Sequence, residues 1–117
     1  MDHFRLPSIT MIAGSTHPVD FHITDYFCMS VNAGEVTGHL SVTPYINTLE
    51  QPLFTITETG LDEDGCLCFT IPSAMTLPLS GKYIYQLHLT NGEESEVYEG
   101  YMTILENRNK NVFSGGI

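Results

Sequence analysis

The chain has no tryptophan, very few cations and no apolar run approaching the ~18 residues that a membrane-spanning helix requires. Only four Lys and Arg residues, Arg5, Lys82, Arg108 and Lys110, stand against 14 Asp and Glu, giving a formal net charge of −10. Neutralising phosphates takes clustered cations, so nucleic acid is excluded as a partner. Without a long apolar run there is no helical membrane span. The opening Met1-Asp2-His3-Phe4-Arg5 also lacks the basic-then-apolar pattern of a secretory leader. These absences predict a soluble chain made in a cytoplasm. The acidic residues gather at Asp62-Glu63-Asp64 and at Glu93-Glu94 with Glu96. Both are turn-like segments, where such charge favours solubility and protects loop ends.

Cysteine is scarce and odd in number: Cys28, Cys66 and Cys68. Cys66 and Cys68 stand two apart on one predicted strand and share a side, where a bond between them would distort the pleat. The expectation is three free thiols in a reducing compartment. The alternation of Cys66 and Cys68 with Leu67 and Phe69 suggests thiols packed as small apolar groups.

Catalytic motifs are missing as well. Gly14-Ser15 and Ser80-Gly81 lack the Gly-x-Ser-x-Gly form of a nucleophile elbow, and there is no phosphate-binding glycine loop. Asp62-Glu63-Asp64-Gly65 superficially resembles a calcium loop. It has neither alternating ligands nor a later bidentate glutamate, and a β-turn explains it. The histidines are not spaced for a metal: His17 and His22 are five apart, and His39 and His88 fall on other strands. Alternation places His22 and His88 on outward faces. The expectation is a protein that is not an enzyme and carries no metal or cofactor.

What the chain does contain is strand pattern. Around Asn91-Gly92, a hairpin turn signal, two runs alternate with period two. Tyr83, Tyr85, Leu87 and Leu89 share one face of the first run, and Tyr98, Gly100, Met102 and Ile104 share one face of the second. Such a hairpin needs a second layer over its apolar face. Further strands are predicted at Ser8 to Ala13, Val19 to Thr24, Val36 to Tyr45 with Pro44 at an edge or bulge, Leu53 to Glu58, and Gly65 to Ile71. Ser73-Ala74-Met75-Thr76, after Pro72, suits one helical turn with Ser73 as its N-cap.

The fold class that follows is all-β: an immunoglobulin-like β-sandwich of about seven strands with one short helical crossover, occupying residues 1–105. Gly81-x-Tyr83-x-Tyr85 has the spacing of a tyrosine corner, with Tyr85 where a core cysteine often stands, so no intersheet disulfide is expected. The predicted core comprises Ile9, Met11, Phe21, Ile23, Leu40, Val42, Leu67, Phe69, Tyr83, Tyr85, Leu87, Met102 and Ile104. Residues 106–117 read as a flexible tail whose Val112, Phe113 and Ile117 are candidate partner-binding residues.

Two stretches carry a family resemblance. Ile9 to Thr16 followed by Val19-Asp20-Phe21-His22-Ile23-Thr24-Asp25 resembles the opening of the N-terminal immunoglobulin-like domain of phage baseplate upper proteins. Gly65 to Ile71, Thr76 to Leu89 and Glu99-Gly100-x-x-x-Ile104 resemble its closing strands. The chain departs from the family at Ala13 and Ser15, where the opening motif has Arg and Asp, and from Cys28 to Leu53 it matches only as generic strand. The resemblance implies a non-enzymatic structural or docking domain of a phage or prophage tail. Its partners would be other baseplate proteins or further copies of itself, and it would be located in the virion after synthesis in the bacterial cytoplasm. Larger members continue into a helix and a host-binding region. Here the chain ends after a short tail, so receptor binding is not implied. The alternative is a carbohydrate-binding or adhesin-type sandwich. That would favour exposed planar aromatics, and nothing in the sequence lines up Tyr26, Phe27, Tyr45 and Tyr101.

Overall fold

Alternation of apolar and polar residues becomes seven strands in the computed structural model, which describes residues 6–22, 36–45, 51–92 and 94–108. These are β1 (Ile9–Ile12), β2 (His17–His22), β3 (Thr37–Pro44), β4 (Phe54–Thr59), β5 (Cys66–Ile71), β6 (Gly81–Thr90) and β7 (Ser95–Leu105), with one helical turn, α1 (Ser73–Thr76), between β5 and β6. One sheet has five strands in the order β1-β7-β6-β3-β4, and the other pairs β2 with β5. β1 runs parallel to β7, and the other pairings are antiparallel. With β3, β6 and β7 central in one layer and β2 and β5 in the other, this is an immunoglobulin-like all-β sandwich.

The inward residues of each strand make one core. Leu40 and Val42 from β3, Leu67, Phe69 and Ile71 from β5, Tyr85, Leu87 and Leu89 from β6 and Met102 from β7 are all fully buried. Phe21 of β2 meets Phe69 edge-to-face at 6.0 Å. Ile9 is only half-buried against this core, because β1 is the edge strand of its sheet, and Ile23 lies outside the described residues. Gly38 permits the close approach of the layers: a Cβ there would stand 2.4 Å from Leu67 Cδ2.

Several boundaries differ from the pattern-based expectation. β2 begins at His17, earlier than Val19, and takes in Pro18, which is tolerated because β2 has only one strand partner in its sheet. The N-cap of α1 is Pro72, in extended geometry and with no side-chain cap, so Ser73 is the first helical residue. The loop after β6 spans Asn91 to Glu94, closed by Asn91 N–H donating to Glu94 O at 3.2 Å and by Glu94 N–H donating to Asn91 Oδ1 at 2.7 Å. Gly92 takes φ +96°, which an L side chain rarely adopts.

The tyrosine at the start of β6 is tied to its own entry loop. The Tyr83 hydroxyl donates to Ser80 O at 2.9 Å and accepts from Ser80 N–H at 3.1 Å, while Gly81 between them has φ +110°. Tyr83→Phe keeps the ring and removes both bonds, with an expected loss of about 1 kcal/mol. An unchanged denaturation midpoint would show that water replaces them at no cost.

Candidate interaction surface

Burying one face of the five-stranded sheet leaves its other face open, and register decides what meets there. Between β3 and β4 the outward residues form a polar ladder. Thr37 bonds Thr59 at 3.1 Å, His39 Nδ1 bonds Thr57 Oγ1 at 2.8 Å, and Ser41 bonds Thr55 at 3.0 Å. His39 lies directly opposite His88, with ring centroids 5.8 Å apart, although the two are 49 positions apart in sequence. Among the described residues no three His, Cys, Asp or Glu side chains form a group that could hold a metal ion.

The apolar part of this face lies at the other end. Tyr45, just after β3, and Tyr101 of β7 are 45% and 38% exposed, and their rings sit 5.7 Å apart at 46°. Strands two apart in a sheet are about 9.5 Å apart, so both rings lean over β6, which runs between them. They wall a cleft of about 320 Å³ completed by Lys82, Tyr83, Met102 and Thr103. The sequence shows no alignment of exposed aromatics, yet the fold makes one. The pairing depends on β3 and β7 flanking β6, a relation that no local pattern carries.

A second apolar patch sits at the β1–β7 corner. Ile12 and Leu105 are paired in register, point outward, and are 53% and 48% exposed. The corner is held firmly: Ala13 N–H donates to Leu105 O at 2.9 Å, Gly14 N–H to the buried Thr76 Oγ1 at 3.0 Å, and Asn107 Nδ2 to Ala13 O at 2.8 Å. Asn107, read as tail from the sequence, thus bonds to the β1–β2 turn. Val112, Phe113 and Ile117 lie outside the described residues, as do Tyr26 and Phe27. The signal for this corner was present in the sequence. Ile12 follows the inward Met11 and Leu105 follows the inward Ile104, so each is an apolar residue at an outward position.

The thiols are placed differently from the sequence reading. Leu67 and Phe69 take the inward face of β5, so Cys66 and Cys68 stand on its outer face, half-buried and exposed respectively, and are not packed in the core. Both are free thiols, and Cys28 lies outside the described residues. Asp20 lies opposite Cys68 and His22 opposite Cys66. Asp62 Oδ1 accepts from Cys66 N–H and Asp64 N–H at 2.9 Å each, and Oδ2 accepts from Cys68 Sγ at 3.4 Å. The bond from Cys66 N–H, with help from the Cys68 thiol, holds the Asp62 carboxyl below its ordinary value.

Desolvation, reinforced by hydrogen bonds to Asp20 and Asp62 and by their charge, pushes the Cys68 thiol up to about 12. In native protein at pH 8, Cys68 is expected to alkylate more slowly than in denaturant, since the thiolate is the reacting form and the native thiol is held protonated. Asp62→Asn should restore much of the rate, and peptide mass spectrometry reads both. Equal native and denatured rates would contradict this.

No helix among the described residues is long and apolar enough to cross a membrane. Neither a protein-family model nor a curated protein matches this chain.

Proposed function

We propose that this chain is a non-enzymatic docking domain that joins a larger assembly, a phage or prophage tail, through protein–protein contact. The observation that carries the docking is the corner at Ile12 and Leu105: two large apolar side chains exposed side by side on backbone pinned by α1 and by Asn107. A rigid apolar patch loses little entropy when a partner covers it, which favours an interface over a solvated surface. Val112, Phe113 and Ile117, which lie outside the described residues, are further candidate partner-binding residues in this reading. The tail setting rests on the resemblance of the opening and closing strands to baseplate upper proteins.

Co-expression with the products of neighbouring genes, followed by light scattering, tests the proposal. The chain is expected to form a defined complex with one such product or with itself. Ile12→Asp with Leu105→Asp should weaken that complex by about thirtyfold or more, with little change in the melting temperature. A strictly monomeric chain that binds none of its neighbours, or a double variant that binds as well as the parent, would overturn it.

A further inference from the structure

We propose that the cleft between Tyr45 and Tyr101 binds a pyranose ring bearing a carboxylate, with Lys82 as the anion-recognising group. This site is separate from the docking corner: Tyr101 and Leu105 are four residues apart on β7, roughly 14 Å along the strand.

Charge gives the first reason. In a chain of net charge −10 with only four Lys and Arg, the one lysine within the described strands lines the aromatic cleft. An ammonium lining an aromatic cleft can attract a ligand anion. The low dielectric of the flanking phenol rings strengthens that attraction relative to open water.

Shape gives the second. Tyr45 and Tyr101 are tilted against each other at 46° with centroids 5.7 Å apart, so nothing inserts between them, and together they present a V-shaped apolar wall. A pyranose offers a face of C–H bonds to such a wall and hydroxyls at its rim, and Thr103 is a polar residue of the cleft lining. A cleft of about 320 Å³ is at the small end of small-molecule sites, room for one or two sugar rings. An acidic loop of a protein partner would need a flat contact of about 500 Å² per side around it. The concavity therefore favours the sugar.

Register fixes the arrangement before any ligand arrives. Lys82 is opposite Thr103, Ile84 is opposite Tyr101, and Tyr45 N–H donates to Lys82 O at 3.3 Å. The three side chains thus project from adjacent strands of one sheet. The Tyr83 hydroxyl, bonded to Ser80, holds the entry of β6 at the cleft wall.

The experiment is an amide and tyrosine-ring NMR titration of the full chain with glucuronate, glucose, acetate and a glutamate-containing hexapeptide, each to tens of millimolar at low salt. Glucuronate is expected to bind in the millimolar range, with shifts confined to Tyr45, Lys82, Tyr101 and Thr103, at least fivefold more tightly than glucose or acetate. Lys82→Gln should bring glucuronate down to the level of glucose without affecting glucose itself. Tyr45→Ala should weaken both sugars, and circular dichroism should show both variants folded. Acetate matching glucuronate would reduce the site to a nonspecific charge and overturn the proposal. So would tighter binding of the hexapeptide, which would assign the cleft to a protein partner, or shifts from glucuronate that survive in both variants.

Discussion

Gly100→Ala is expected to lower the stability of the domain by about 3 kcal/mol and its melting temperature by roughly 10 °C. Gly100 stands directly opposite Tyr85 in the β6–β7 ladder, and an added Cβ would lie 2.8 Å from Cε1, Cζ and Oη of that ring. The ring cannot move aside. Tyr85 is fully buried, lies 6.2 Å from Phe21, and its hydroxyl donates to Pro7 O, which fastens the segment before β1 to the core. Glycine is therefore required by the volume of its neighbour. Tyr85→Leu in the same chain should recover part of the loss, because the smaller side chain vacates the space the new Cβ needs. The double-mutant cycle should return a coupling of 1 kcal/mol or more, with ~0.5 kcal/mol as the limit for independent sites. Simple additivity would mean that the clash is absent.

Phe69→Ala is expected to cost about 4 kcal/mol, the largest effect of any single truncation in the core. A two-stranded sheet is at best marginally stable alone, so β2 and β5 persist only because their inward residues pack on the larger sheet. Phe69 is fully buried, touches Phe21 edge-to-face, and places Cζ 3.1 Å from where a Cβ on Gly38 would stand. Its loss opens a cavity at the joint between the layers, which neither layer can fill without shifting its register. Urea denaturation should show the midpoint falling at an unchanged slope. A loss below about 1.5 kcal/mol would show that the two layers are not in close contact at this point.

The candidate surfaces were less legible than the core. Ile12 and Leu105 can be read from sequence as apolar residues at outward positions, but that they adjoin depends on β1 pairing in parallel with β7 across 93 positions. Tyr45, Lys82 and Tyr101 converge only because β6 runs between β3 and β7, and His39 meets His88 for a similar reason. Cys66 and Cys68 were placed on the correct strand and on a common side. Packing them with Leu67 and Phe69 conflicts with the period-two rule itself, which sends neighbours to opposite faces.

By itself the sequence determined roughly where each strand lies and which large apolar residues turn inward, because a pleated strand turns alternation directly into two faces and needs no distant information. It also settled the turn at Asn91-Gly92 and the helical turn after Pro72, where backbone preference is a property of a few adjacent residues. Tertiary structure alone decided which outward faces share a surface. That depends on strand order and register, fixed by burial of the opposite face: Leu40, Leu87 and Tyr98 are neighbours across three strands because each must leave water, and Tyr45, Lys82 and Tyr101 are carried into one cleft as a consequence of that packing.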